Sequence, residues 1–157
     1  MNRFIVAAAV AVLAPCQASL ASDHSARSVV GVWSLEVTLR VCATGEPVPG
    51  VDPFSTQNTF HQGGTMTEFG TRFAPATRNV GQGVWKKVGR STYASRFVFH
   101  RFDASGLYMG DQDVRRISRL SQDGHWMTAT ARVELTDANG VVVLRGCATE
   151  EGPRLEL

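Results

Sequence analysis

The chain has 157 residues, with 16 Lys plus Arg against 14 Asp plus Glu and a formal net charge of +2. This length allows one domain with a core of ordinary size. Because the charge is nearly balanced and no basic run stands out, the sequence argues against a nucleic-acid partner or an anionic membrane partner.

Residues 1–21 have the layout of a secretory signal. Arg3 precedes an apolar stretch from Phe4 to Ala14, and small residues then lead to a cleavage position after Ala21. The apolar stretch is short for a bilayer span and nothing similar follows, so no transmembrane segment is expected in the mature chain. We therefore predict an exported protein, periplasmic or secreted, whose domain spans residues 22–157.

A lipid anchor on Cys16 is an alternative use of the same segment. A bacterial lipoprotein signal carries a small residue directly before the modified cysteine, and Pro15 stands there in this chain. Lipid anchoring is therefore disfavoured, and removal of the signal would discard Cys16 with it.

Nothing in residues 22–157 has the periodicity of a helix. Short runs rich in Val, Thr, Phe, Tyr and Trp are separated by Gly, Asp, Asn and Pro. Residues 31–42 and 125–136 alternate apolar and polar side chains with a period of two, which indicates a strand with one buried face. Turn residues such as those of 137–140 separate neighbouring runs. Counting gives eight strands with short connections, and this predicts a single all-β antiparallel meander.

Two cysteines, Cys42 and Cys147, remain in the predicted mature chain. In an exported protein a disulfide between them is the default interpretation, and a thiol nucleophile is the alternative. They lie in two segments of nearly identical sequence, RVCATGE at 40–46 and RGCATEE at 145–151. An open meander leaves two exposed strand edges, so we expect closure into an up-and-down barrel. The first and last strands would then pair at a seam, with these two segments facing each other.

A disulfide in register would fix the pairing of the first and last strands. It would place Trp33 opposite Glu156 and Glu36 opposite Pro153. In the chain-entropy model a link closing so long a loop stabilises a fold by about 4 to 5 kcal/mol.

The first strand opens with Gly31-Val32-Trp33, which resembles the Gly-x-Trp motif of the lipocalin and wider calycin superfamily. The segments FHQGGTMTE, GQGVW and GCATE extend the likeness to exported bacterial lipocalin-like proteins. This resemblance implies a barrel, with Trp33 closing one end beneath an arginine from the far end of the chain, here Arg154. It implies no particular reaction.

Large and small side chains share the faces that should point into the barrel. Aromatic residues of the fifth strand face small Ala129 and Ala131 of the seventh, and this leaves room for one small molecule, although a solid core is the alternative. The predicted ligand-binding residues are Tyr93, Phe97, Phe99, Arg115, His125 and Met127. Of these, Arg115 or His125 would supply an orienting polar contact.

Internal carboxylates are the candidates for acid–base chemistry. Glu68 is in phase with Met66, whereas Asp111 and Asp113 are in phase with Leu107 and Met109, with Arg115 on the same face. We interpret these groups as structural ion pairs and assign no catalytic residue. The histidines lack metal-ligand spacing, and no phosphate loop or dinucleotide fingerprint is present, so neither a metal nor a cofactor is expected.

The leading hypothesis is a monomeric exported β-barrel that binds a small apolar or amphipathic molecule and does not catalyse a reaction. A second hypothesis is a cofactor-free isomerase or cyclase resembling the allene oxide cyclase barrels, in which Glu68 and Asp111 would guide the substrate. A third is a protein-interaction module or inhibitor that acts through the Pro-rich loop from Thr44 to Thr56.

Overall fold

The computed structural model describes residues 28–157, which form a closed barrel of eight antiparallel strands joined in chain order. The strands are β1 Gly31–Arg40, β2 Phe54–Phe60, β3 Thr65–Gly70, β4 Gly81–Lys87, β5 Thr92–Phe102, β6 Tyr108–Leu120, β7 Trp126–Thr136 and β8 Val142–Pro153. This confirms the predicted all-β, eight-stranded up-and-down barrel. The predicted signal segment at 1–21, with Cys16, lies outside the described residues. The described part of the chain holds no helix of the length and apolarity needed to cross a bilayer.

The barrel closes where β1 pairs with β8, and a disulfide joins Cys42 to Cys147 beside this seam with a Cα–Cα distance of 5.2 Å. The seam and the disulfide are as predicted, but the predicted register is wrong by two residues. Glu36 pairs with Glu151 rather than Pro153, and Trp33 bridges Arg154 rather than Glu156.

The register differs because Cys42 is not a paired strand residue. Strand β1 ends at Arg40, which itself pairs with Cys147, and the chain then turns, with the Val41 amide donating to the Glu46 carbonyl. From that turn Cys42 reaches back to the sulfur of Cys147. The two similar segments, 40–46 and 145–151, therefore lie side by side, and the turn after Arg40 accounts for the shift in register.

Alternation with period two decides what fills the barrel. On β1 the inward positions hold Trp33, Leu35 and Val37, all buried. On β7 the inward series begins with Met127 and continues through Ala129 and Ala131. The inward side chains of β7 are therefore smallest at the middle of the strand, where Ala129 and Ala131 lie between Met127 and the larger Val133 and Leu135.

One end, here called the closed end, is plugged by Trp33. Its indole Nε1 donates to the Val29 carbonyl at 2.8 Å, and the Arg154 guanidinium lies 4.4 Å from the ring centroid. Arg154 also donates to the carbonyls of Val30 at 2.6 Å and Gly124 at 3.2 Å. A Cβ at Gly31 would lie 2.7 Å from Arg154 Nη1, so the glycine of the Gly-x-Trp motif makes room for the arginine. This is the arrangement that the resemblance implies.

The opposite end, here called the open end, carries the longer connections, residues 41–53 and 71–80, together with the hairpins at 103–107 and 137–141. A short 3-10 helix, Pro75–Thr77, lies within the second connection. Long irregular loops at one end of a rigid barrel are a common setting for a binding site.

Candidate functional site

A cavity of about 640 Å³ enters the barrel from the open end. Its walls are mainly apolar, with Phe97 and Phe99 on β5 and small Ala131 and Ala148 on β7 and β8. Two alanines beside two rings leave space because their methyl groups reach only a short way into the interior. The volume lies within the range of small-molecule sites, which is about 300 to 1,000 Å³.

The connections at the open end narrow the mouth of this cavity. Val48 and Val51 of the Pro-rich loop line it, and the Val48 amide is tied to the Leu39 carbonyl at 3.0 Å. From the other long connection, Phe73 packs edge-on against Phe99 at a centroid distance of 6.1 Å. Apolar side chains from both connections thus extend the apolar walls towards solvent.

One buried ion pair forms part of the floor. Arg78 Nη2 lies 2.6 Å from Glu68 Oε2, and the two side chains are 3% and 4% exposed. The Arg78 guanidinium also lies 3.7 Å from the Phe99 ring centroid, and its Nε donates to the Asn79 carbonyl at 3.0 Å. Burial raises the pKa of Glu68 above its ordinary value, against the lowering effect of Arg78, and the charge of Glu150 raises it further.

A second buried pair lies deeper, between the floor and the closed end. Arg116, only 2% exposed, donates through Nη1 to Glu150 Oε2 at 2.6 Å and to Asn58 Oδ1 at 3.0 Å. Its Nε donates to Ser95 Oγ at 3.2 Å. Of this group Glu150 lines the cavity, whereas Arg116, Asn58 and Ser95 lie beneath it. Glu150 therefore contributes a carboxylate to the floor, and one of its oxygens, Oε2, is already paired with Arg116.

The predicted aromatic and methionine side chains all face inward and are buried. Phe97 and Phe99 line the cavity, whereas Tyr93 and Met127 belong to the packed interior near Trp33, outside the cavity lining. The structure thus divides the predicted apolar set between a cavity wall and a core.

The predicted inward placement of Arg115 and His125 is wrong. The Arg115 side chain is 63% exposed and lies 3.6 Å from Asp113. The His125 side chain is 52% exposed, with Nδ1 2.6 Å from Glu156 Oε1. Both therefore lie on the outer surface, because β6 turns its even-numbered side chains inward and His125 precedes β7 at the turn.

The acidic candidates separate in the same way. Glu68 faces inward as predicted, but Asp111 and Asp113 face outward with Arg115. Asp111 Oδ1 lies 2.7 Å from His100 Nδ1, and Asp113 Oδ2 lies 2.7 Å from Arg96 Nη2. The sequence phase was set by Leu107 and Met109, which are exposed. Glu68 and Asp111 consequently do not meet at one site.

Sequence reasoning missed the polar groups that do face inward, Arg78, Arg116 and Glu150. A signal for two of them existed in the alternation. Arg116 is in phase with Val114 and Leu120, and Glu150 is in phase with Ala148. Strict alternation of inward and outward side chains along β6 and β8 therefore predicts that Arg116 and Glu150 lie inside the barrel.

A second hollow of about 770 Å³ lies across the outer faces of the strands from β4 to β8. Its rim includes exposed Val84 and Ile117 together with the exposed side chains of Arg96 and Arg115. A molecule there would stay largely in water, so the interior cavity is the stronger candidate. Within residues 28–157 no three His, Cys, Asp or Glu side chains come together as a metal site would require.

No known family model matches this chain, and no curated protein matches it. The closed eight-stranded barrel is consistent with a lipocalin-like fold. A barrel of eight strands is wide enough to hold packed side chains or one small ligand, and this one holds packed side chains at one end and a cavity at the other.

Proposed function

We propose that this protein is an exported, monomeric, non-catalytic barrel that binds one small amphipathic molecule in the open-end cavity. The observation that carries the proposal is the cavity of about 640 Å³, with apolar walls and a few polar atoms at its floor. That combination is the ordinary form of a small-molecule site, in which apolar contact supplies affinity and the polar atoms fix orientation.

Export is supported by two independent features. The Cys42–Cys147 disulfide belongs to an oxidising compartment, because cytosolic reductants keep thiols reduced. Residues 1–21 have the layout of a secretory signal. A monomer is favoured because closure pairs every strand on both sides and leaves no free sheet edge for a second copy.

Binding is favoured over the isomerase or cyclase alternative by the positions of the two acids. That alternative needs Glu68 and Asp111 to act on one substrate, and they lie on opposite faces of the barrel wall. The inhibitor alternative needs the Pro-rich loop as a free recognition surface. Val48 and Val51 of that loop instead line the cavity, so the loop takes part in the same site.

A cavity-filling substitution tests the proposal. Ala131→Trp should lower the affinity for the neutral fluorescent probe N-phenyl-1-naphthylamine at least tenfold, because the indole would occupy the cavity. Thr128→Trp, on the outer face of the same strand, is the matched control and should leave probe affinity unchanged. Urea unfolding of each variant establishes that it is folded.

Absence of probe binding to the wild type, or equal binding by wild type and folded Ala131→Trp, would contradict the proposal. Ala148→Leu supplies a milder filling substitution from β8 should the indole prevent folding, and it should weaken binding in the same direction.

A further inference from the structure

We infer that the ligand enters with a hydrogen-bond-donating head, a hydroxyl or a protonated amine, which is bound at the cavity floor by the carboxylate of Glu150. This inference rests on the proposed function, since it names the chemical class and the orientation of the molecule in the same cavity. The polar atoms at the floor differ in whether they already have a hydrogen-bond partner, and this difference indicates the kind of head group that fits there.

Glu150 leaves an acceptor without a partner. Its Oε2 accepts from Arg116 at 2.6 Å, whereas no group in residues 28–157 donates to Oε1. The residue is buried yet lines the cavity. Oε1 is not among the fully buried side-chain atoms without a partner in the described residues, so it remains open to the cavity. A donor brought by the ligand would give it a hydrogen bond that the protein itself does not make.

The cations of this region are not free to bind an anionic head. Arg78 gives Nη2 and Nη1 to the two carboxylate oxygens of Glu68, and its flat face covers Phe99. Arg116 lies beneath the floor and is engaged by Asn58, Ser95 and Glu150. A carboxylate arriving at the floor would therefore face two acidic side chains without an available guanidinium.

Arginines at the mouth, Arg40, Arg72 and Arg145, offer the competing arrangement, with an acidic head near solvent and the tail pointing inward. Arg145 is mostly exposed and already paired with Glu134 at 2.9 Å, and Arg40 donates to Thr149. Exposed charges contribute little to binding because water and counterions screen them. A tail on the floor would also shield Glu150 Oε1 from water without giving it a donor, which disfavours this orientation.

Three amphiphiles of equal chain length separate these arrangements: decylammonium, 1-decanol and decanoate. Each competes with N-phenyl-1-naphthylamine for the wild-type protein at pH 7. Decylammonium and decanol should displace the probe at concentrations at least about tenfold lower than decanoate. Glu150→Gln should reduce the preference for decylammonium over decanoate about fivefold or more, whereas Glu151→Gln on the outer face should leave it unchanged.

Each failure has its own signature. Equal displacement by all three, or the tightest binding by decanoate with loss in Arg72→Gln, would overturn the donor-head inference and leave the binding function intact. Displacement by none of the three, with no probe binding, would overturn the proposed function itself. The amphiphile series uses the wild type alone, so it decides the matter even if Glu150→Gln does not fold.

Discussion

The two ends of the barrel are built from the same eight strands and are filled in opposite ways. At the closed end Trp33, Phe60, Met66 and Met127 are fully or almost fully buried. At the open end Ala131 and Ala148 border a cavity of about 640 Å³. The closed end is therefore close-packed, whereas the open end contains a cavity.

The boundary between the halves is polar. Arg116 and its partners lie between the packed core and the cavity, and Arg116 sits 5.4 Å from the Phe60 ring centroid and 5.5 Å from that of Phe97. If the neighbouring side chains moved into the space that the Arg116 guanidinium occupies, the Glu150 carboxylate would lose its cation. The buried charges thus help to keep the core from extending into the cavity.

If the open end lacks close packing, it should depend on its covalent link. Replacing both cysteines, Cys42→Ser with Cys147→Ser, should lower the free energy of unfolding by about 4 to 5 kcal/mol, because the disulfide closes a long loop; its two ends are 105 residues apart. Urea unfolding measures the loss, and the wild type under reductant should match the double variant. A loss below about 1 kcal/mol would contradict the dependence.

The polar boundary should be the next most sensitive feature. Arg116→Met should cost about 3 kcal/mol, because it leaves the Glu150 carboxylate buried without its cation. The neighbouring Arg115→Met is the matched control, and it should change the free energy of unfolding by less than about 0.5 kcal/mol, since Arg115 is exposed. Similar losses for the two variants would mean that Arg116 does not hold the boundary.

This pair of neighbouring arginines also shows what the sequence could and could not predict. The strands followed from local alternation and turn residues, and closure followed from two cysteines and the unpaired edges of a meander. Register did not follow, because nothing local shows that Cys42 lies in a turn beyond Arg40. Pairing between distant strands depends on how each strand ends, which is a property of the folded barrel.

The cavity could be predicted only in part. Phe97 and Phe99 were found because aromatic residues at alternate positions mark an inward face. Arg116 and Glu150 were missed because charged residues are seldom buried unless they are paired, and their partners come from strands distant in sequence. The choice of Arg115 followed from exposed Leu107 and Met109, since an apolar side chain is not by itself evidence of burial.

The closed end should depend on its arginine less than the boundary does. Arg154→Met should lower the free energy of unfolding by about 2 kcal/mol, because the Trp33 ring loses its cation and the carbonyls of Val30 and Gly124 lose a donor. Exposed Arg119→Met serves as the control. Probe affinity should stay at the wild-type value, because Arg154 lies at the far end from the cavity, and a large change in affinity would contradict the separation of the two ends.

Glu68 should give the floor a dependence on pH. Its pKa lies above the ordinary 4.5 because of burial, so the folded protein holds this proton at a pH where the unfolded chain has released it. The contribution of Glu68 to stability is therefore fully present below pH 4.5 and is lost as the pH rises through the folded-state pKa. Urea unfolding at several pH values should show this decline for the wild type relative to Glu68→Gln. A rise of that difference with pH would contradict the assignment.

The smallest effect should come from an ion pair that is nearly as short as the buried one. Arg96 and Asp113 approach to 2.7 Å, yet their side chains are 55% and 15% exposed, compared with 3% and 4% for Arg78 and Glu68 at 2.6 Å. Asp113→Asn should cost less than about 1 kcal/mol, and added salt should shrink that cost, because water and counterions already screen the pair. A cost of about 3 kcal/mol, unchanged by salt, would show that distance outweighs burial in this barrel. Since the two pairs differ far more in burial than in length, this comparison tests whether exclusion of water gives the floor of the cavity its distinct chemistry.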